Sequence, residues 1–323
     1  MKNLIGNTPL IAIKYKYQNK EKIIYAKLEN YNLTGSIKDR IVYNILSKKN
    51  LKENQPIIEA TSGNTGIALA AYGAYYNHPV YIFMPDWSSK ERIDLMELYG
   101  AKVTLVSKET GGFKGCIEKA KMLAQELNGY LFNQFSDQEN VQTHYETTGP
   151  EIVRQLPKIG GFVSGIGTGG TFTGIAKCLK EYNPKIKTYA LEPENIPILS
   201  GGKIMGPHKI SGIGDDFIPE IVETSFIDKV LTVSDEIAIE MARKLASELG
   251  LAVGISSGAN IYAAIKMSEE VDCVLTIIVD DAKKYLSTDL IKKNKAKILP
   301  EIELLSYESV NWQAIIEKRR LLC

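Results

Sequence analysis

The sequence predicts an α/β protein whose parallel strands carry helices on both faces. Three observations lead there. Short apolar runs alternate with longer amphipathic stretches, the second half of the chain repeats the strand–loop–helix order of the first, and each half places a glycine-rich loop between a strand and a helix. At 323 residues the chain has room for one large domain or two ordinary ones.

The elements follow in order. Pro56–Ala60 reads as a strand that runs through Thr61-Ser62-Gly63-Asn64-Thr65-Gly66 into a helix over Ile67–Tyr76. Val80–Met84 is the next strand, stopped by Pro85, and Glu91–Tyr99 is a helix that Gly100 can end. Lys102–Val106 is a strand and Gly115–Asn128 a helix with Lys119, Lys121 and Glu126 on its wet side. In the second half Gly161–Ser164 is a strand, Gly165–Gly170 a loop and Thr171–Tyr182 a helix. Lys187–Leu191 is a strand, Pro193–Phe226 mostly structured loop, and Ser234 caps a helix reaching Leu249. Ala259–Glu269 is a helix and Val274–Val279 an apolar strand. A division near residue 145 fits this order.

Composition narrows the function classes. The 39 basic and 38 acidic residues nearly cancel, so no charge excess favours nucleic acid or an anionic membrane surface. No apolar run reaches membrane-spanning length and the start lacks a signal-peptide core, which makes the cytoplasm the default expectation. Cys116, Cys178, Cys273 and Cys323 are far apart and only three histidines accompany them, so neither a structural metal nor a disulfide framework is expected. The first three cysteines read as buried free thiols and Cys323 as exposed.

The two loops are the candidate chemistry. Thr61–Gly66 offers hydroxyls, an amide and backbone N–H groups at a helix start, a setting for a carboxylate or phosphate. Gly165-Ile166-Gly167-Thr168-Gly169-Gly170-Thr171 lets the backbone wrap closely around an anion. Each could be only a tight turn. The second also matches Gly-x-Gly-x-x-Gly, with Glu192 following Gly170 by 22 residues as a nicotinamide site would want, but that alternative leaves the first loop unexplained. Lys38, in Thr34-Gly35-Ser36-Ile37-Lys38-Asp39-Arg40, stands where a loop becomes a helix. Exposed, it is an ordinary surface lysine; beside an anion site and shielded from water, its amine could attack a carbonyl.

Together these segments resemble the cysteine synthase/cystathionine β-synthase family of fold-type II pyridoxal phosphate (PLP) enzymes. The resemblance spans about residues 3 to 290. It runs through Gly6–Leu10, Lys27-Leu28-Glu29, Thr34–Arg40, Thr61–Gly66, Thr147–Ile152, Gly167–Thr171, Glu192-Pro193, Gly201-Gly202, Gly212-Ile213-Gly214, Ser256–Ala259 and Tyr285–Thr288. It implies two parallel or mostly parallel sheets flanked by helices, with the active site between domains. Residues 1–34 would belong to the larger domain, 35–145 would form a small domain that closes on substrate, and 146–323 would complete the larger, phosphate-binding domain.

The resemblance also implies roles. Lys38 would hold PLP covalently and move the proton at the substrate Cα. Gly167, Thr168, Gly169, Gly170 and Thr171 would cup the phosphate, Asn64 would meet the ring oxygen and Ser256 the ring nitrogen. Thr61, Ser62, Gly63, Thr65 and Gln134 would hold the substrate carboxylate. Small amino acids are the implied substrates, a homodimer the implied assembly and a serine acetyltransferase the implied partner.

Two segments depart from the family. Gln134-Phe135 leads into Ser136-Asp137-Gln138-Glu139-Asn140-Val141 rather than Asn-Pro-x-Asn-Pro. Asp215-Asp216 replaces the small residues of a cysteine synthase; Asp216 matches the cystathionine enzymes and Asp215 matches neither. Cysteine synthesis from O-acetylserine and sulfide is the leading expectation. Cysteine consumption with release of hydrogen sulfide, giving serine or lanthionine, is an alternative in which Asp215 acts on the incoming nucleophile. Cystathionine synthesis, drawing on Asp216, is another, and a non-catalytic binding protein the last.

Overall fold

A computed structural model describes residues 1–292, 299 and 301–310, so the expectation for Cys323 lies outside the described residues. The chain opens with an antiparallel hairpin, β1 (Leu10–Tyr17) and β2 (Lys20–Leu28). Helix α1 (Lys38–Lys48) then leads to β3 (Ile57–Ala60), α2 (Asn64–Tyr76), β4 (Val80–Pro85), α3 (Lys90–Leu98), β5 (Lys102–Val106), α4 (Gly112–Glu126) and β6 (Tyr130–Leu131). The chain returns through α5 (Glu139–Thr143), a π-helical turn (His144–Thr148) and α6 (Gly149–Gln155). There follow β7 (Gly161–Gly165), α7 (Gly170–Tyr182), β8 (Lys187–Pro193), β9 (Lys229–Val233), α8 (Asp235–Leu249), α9 (Ile255–Met267), β10 (Val274–Ile278) and β11 (Ile302–Ser309).

Two sheets result. The larger is ordered β11-β1-β2-β10-β7-β8-β9 and the smaller β5-β4-β3-β6. Every pair in the smaller sheet is parallel. In the larger, among the described residues, only the two pairs made by β1 are antiparallel. Strands β3 and β10 are buried along their whole length, as runs covered on both faces must be. Helices α8 and α9 cover one face of the larger sheet and α7 the other; α2 and α4 lie on opposite faces of the smaller.

The predicted elements are present, with three helices starting earlier than expected: α2 at Asn64, α4 at Gly112 and α9 at Ile255. The early turns of α2 and α9 are rich in Gly, Ser, Thr and Asn, whose low helix propensity reads as loop, and α4 opens on a glycine. At α9 tertiary contact overrides propensity: a Cβ at Gly258 would meet Ala238 O at 2.3 Å, so the glycine lets α9 lie against α8. Ser234 caps α8 as expected, its hydroxyl accepting from Ile237 N at 3.3 Å. The hairpin was not anticipated. Its turn uses Gln18 and Asn19, both at positive φ (49° and 62°), without the glycine that usually marks such a turn. Cys116 is buried as expected, but Cys178 and Cys273 are only half-buried, the latter at φ 52° in the bend entering β10.

A buried ion cluster joins four parts of the chain. Arg40, on α1, donates through Nε to Glu29 at 2.6 Å and through Nη1 and Nη2 to Glu151 at 2.8 and 2.7 Å. Lys27 on β2 reaches the same Glu151 carboxylate at 2.8 Å, and the Thr8 hydroxyl donates to Glu29 at 2.7 Å. Burial alone would raise the Glu29 carboxyl, but the charges of Arg40 and Lys27 outweigh it and hold the group at about 2, below its ordinary 4.5. Removing one member of such a cluster leaves an uncompensated buried charge, so Arg40→Met should cost about 3–5 kcal/mol of stability. Because the folded-state value of Glu29 is depressed, its contribution is full above pH 4.5 and lost as pH falls toward 2. Urea titrations at several pH values should show a lower midpoint for the variant and a flatter loss of stability in that acid window. A midpoint equal to wild type would show that the cluster does not hold the fold.

Candidate active site

The carboxyl ends of β3 and β7 face one cavity of about 90 Å³, with α1, α2, α7 and α9 presenting their first turns to it. Lys38 is the first residue of α1 and lines this cavity. It is half-buried. Loss of solvation outweighs the charges of Asp215 and Glu59 and lowers its free amine from 10.5 to about 8.

Opposite stands the glycine loop between β7 and α7. Gly167, Thr168, Gly169 and Thr171 line the cavity. Among the described residues, none of the N–H groups of Gly167 to Thr171 has an acceptor, so a row of donors at a helix start is available to an anion. The glycines are sterically required: a Cβ at Gly167 would lie 2.1 Å from Gly212 O, and one at Gly169 2.2 Å from Val222 Cγ2. Gly170 does not line the cavity but packs on the buried Asn140, whose Oδ1 would lie 2.0 Å from a Cβ there. Ser164, at the end of β7, lines the cavity with its buried hydroxyl unpartnered among the described residues. Thr171 also meets His144 Nε2 at 3.2 Å; burial, with Arg40 and Lys38 nearby, holds that histidine neutral well below its usual range.

The first loop forms the third wall. Thr61, Ser62, Asn64, Thr65 and Gln134 line the cavity. The Thr65 hydroxyl donates to Gln134 Oε1 at 2.6 Å, and Gln134 Nε2 donates to Ala60 O at 3.3 Å. Gly63 is set back from the cavity, its N–H donating to Thr61 Oγ1 at 3.1 Å. Asn64 is locked from both ends of its amide: Nδ2 donates to Asp280 at 2.7 Å, and Oδ1 accepts from Lys284 at 2.9 Å. Ser256, in the first turn of α9, completes the lining.

The two aspartates separate. Asp215 lines the inner cavity and is half-buried; desolvation, with Asp216 adding to it and Lys38 opposing, raises its carboxyl to about 6. Asp216 is exposed and pairs with Lys114 at 2.8 Å. It borders only a larger outer cleft of about 620 Å³.

Sequence reasoning missed a layer of supports. Glu59, buried behind the first loop, accepts from Gln134 N at 3.1 Å and from Ala60 N at 2.7 Å; burial pushes its carboxyl up to about 8. Asn140 donates both to Gln134 O at 2.9 Å and to Thr168 Oγ1 at 3.1 Å, joining two walls of the cavity. Asp280, Lys284 and Arg92 were also missed. Their partners lie far away in sequence, 216 residues for Asp280 and Asn64, and nothing local announces them.

The chain matches the family described as pyridoxal-phosphate dependent enzyme over residues 1–278. It is 40% identical over 296 residues to a cysteine synthase of Staphylococcus aureus, spanning 89% of this chain and 95% of that protein. To an O-acetylserine dependent cystathionine beta-synthase of Bacillus subtilis it is 38% identical over 296 residues, spanning 89% and 95%. Among solved structures, a hydrogen sulfide-producing enzyme from Fusobacterium nucleatum is similar with a TM-score of 0.90 and 46% identity, each chain covered to 96%. The chain belongs to the family of pyridoxal-phosphate dependent enzymes, among relatives of the cysteine synthase kind, and its chemistry is β-replacement on small amino acids.

Proposed function

We propose that this enzyme consumes cysteine, releasing hydrogen sulfide from Cβ and adding water or a second cysteine to give serine or lanthionine. One observation carries the reading: Asp215, a carboxylate with no cation at salt-bridge distance among the described residues, lines the same cavity as Lys38. A carboxylate raised to about 6 is still mostly ionised at neutral pH and takes a proton well there. It is a poor neighbour for the sulfide anion that cysteine synthesis must admit.

Pyridoxal phosphate fits the residues present. The free N–H groups of Gly167 to Thr171 suit its phosphate, the locked amide of Asn64 suits its ring oxygen, and the Ser256 hydroxyl suits its ring nitrogen. Bound, the cofactor supplies the electron sink for cleavage at Cα and Cβ. The residues of the chain supply the rest. Thr61, Ser62, Thr65 and Gln134 hold the substrate carboxylate and orient Cα toward Lys38. The Lys38 amine removes the proton at Cα and later returns it. The C–S bond breaks and the sulfur leaves as hydrosulfide, which takes a proton from solvent to depart as hydrogen sulfide; Asp215 accepts the proton of the incoming water or thiol and passes it to solvent. The ammonium of a second cysteine is also a suitable partner for Asp215.

Cysteine synthesis from O-acetylserine and sulfide uses the same Lys38 and loops, and the cysteine synthase relatives favour it as the second reading. Cystathionine synthesis draws less support, because Asp216 lies outside the inner cavity and is paired with Lys114.

Two outcomes test the proposal. Borohydride reduction of the yellow holoenzyme followed by peptide mapping should label Lys38; a label on another lysine would remove the basis for every role above. Asp215→Asn should lower sulfide release from cysteine by about a hundredfold or more. It should affect the reaction of O-acetylserine with sulfide much less. In the wild type, sulfide release should fall as pH drops through about 6, where Asp215 takes up its proton, and the variant should lack that limb. Wild-type sulfide release and products from the variant would exclude Asp215 from cysteine consumption, and a wild-type enzyme that forms cysteine from O-acetylserine and sulfide but releases no sulfide from cysteine would favour cysteine synthesis.

A further inference from the structure

Arg92 takes no part in the steps above, yet it touches both loops that do. It stands in the first turn of α3 and is only 3% exposed. Its Nη1 donates to the Ser62 carbonyl oxygen at 3.2 Å and to the Ser211 hydroxyl at 2.7 Å. Ser62 belongs to the loop after β3 of the smaller sheet. Ser211 precedes Asp215 by four residues on the long segment after β8 of the larger sheet. The guanidinium carbon lies 4.3 Å from the ring centroid of Tyr285. The Tyr285 hydroxyl in turn donates at 2.7 Å to the Asp280 carboxylate that fixes Asn64.

The surrounding chain is shaped to admit this side chain. A Cβ at Gly63 would lie 2.3 Å from Arg92 Cδ, so the glycine of the first loop is a space for the arginine as much as a turn. The Nε of Arg92 is buried without a partner among the described residues, a cost that simple packing would avoid. Arg92 borders both the inner cavity and the outer cleft.

We propose that Arg92 is a positioning residue that holds the substrate-carboxylate loop and the Asp215 loop in one register across the cavity. The inference rests on the reading that the loop from Thr61 to Thr65 binds the carboxylate and that Asp215 serves the nucleophile. The two loops come from different sheets, and among the described residues Nη1 is the single atom that bonds to both. Loss of that atom frees each loop to settle alone. Misplacement by about 1 Å between a bound carbon and its acting group can cost on the order of a hundredfold in rate.

The test uses holoenzyme and three readouts: the dissociation constant of L-alanine, which has no β-leaving group, from cofactor absorbance; kcat and KM for sulfide release from cysteine; and hydrogen exchange of the unliganded holoenzyme. Arg92→Met should weaken L-alanine binding by about tenfold to a hundredfold and lower kcat as well. Ser211→Ala, which spares the bond to Ser62, should lower kcat by about tenfold while L-alanine binding stays within about twofold of wild type. Exchange should quicken in residues 61–66 and 211–217 for Arg92→Met, and in 211–217 alone for Ser211→Ala. Arg92→Lys keeps the charge and one donor and should recover part of the L-alanine affinity. The double variant Arg92→Met/Ser211→Ala should be no worse than Arg92→Met. Wild-type kcat and exchange in Ser211→Ala, or multiplying effects in the double variant, would overturn the proposal. Ser62→Ala separates the two ideas. If it leaves L-alanine binding unchanged, the carboxylate-loop reading fails; if it weakens binding while Arg92→Met does not, only the role of Arg92 fails.

Discussion

Arg40 holds two buried carboxylates at once, and Lys38 stands two residues before it on the same helix. That geometry fixes the rest. A lysine that is to work at a cavity must be kept out of water, and a half-buried amine has no strong bonds of its own to place it. The position is set instead by the same first turn of α1, where Arg40 grips Glu29, just after β2, and Glu151 on α6. Because α1 also packs against α2 in the core of the smaller unit, the helix is anchored to both sheets while its first turn faces the space between them. Charge deep inside a protein is expensive, and here its clearest return is placement rather than stability.

Around Lys38 the cavity is tuned by desolvation more than by pairing. The amine is lowered, Asp215 and Glu59 are raised, and His144 is kept neutral, each chiefly because water is scarce. Lys38 at about 8, Asp215 at about 6 and Glu59 at about 8 lie near neutral pH, while His144 stays unprotonated. The phosphate wall works differently, offering backbone dipoles that need no protonation state at all. Structure-forming charges are thus concentrated at Arg40, and the Lys38 amine stands two residues away on the same helix.

The sequence made the loops legible because their chemistry is local. Glycines, threonines and a helix start are adjacent residues, and Lys38 sits in a short continuous segment. The ion cluster was half visible: Thr8, Lys27, Glu29, Arg40 and Glu151 all fall within segments that carried the family resemblance, but nothing in the sequence said that they meet. Arg40 and Glu151 are 111 residues apart, Arg92 and Ser211 119. The hairpin was missed for another reason. A turn of Gln18 and Asn19 lacks glycine, and the lysines scattered along β1 and β2 blur the alternation that would mark strands. Asp215 and Asp216 were indistinguishable as a pair in sequence; both border the outer cleft, and it is the further reach of Asp215 into the inner cavity that sets the half-buried carboxylate apart from the solvated one.

The pairing of β2 with β10 bears on how the chain is made. Tyr25 pairs with Leu275, so a strand among the first to leave the ribosome waits for one among the last. The smaller sheet has no such delay: β3 to β6 span residues 57 to 131 and can close while synthesis continues. At about 5–20 residues per second, the hairpin stands with an open edge for roughly seven to thirty seconds after that sheet is complete. An open edge of that kind invites pairing with other nascent chains. Lys20, Glu21, Lys22 and Lys27 lie along β2; in the folded chain the first three are exposed or half-buried and Lys27 is buried against Glu151. The charges that make the hairpin hard to read also make it a poor template for aggregation during that wait.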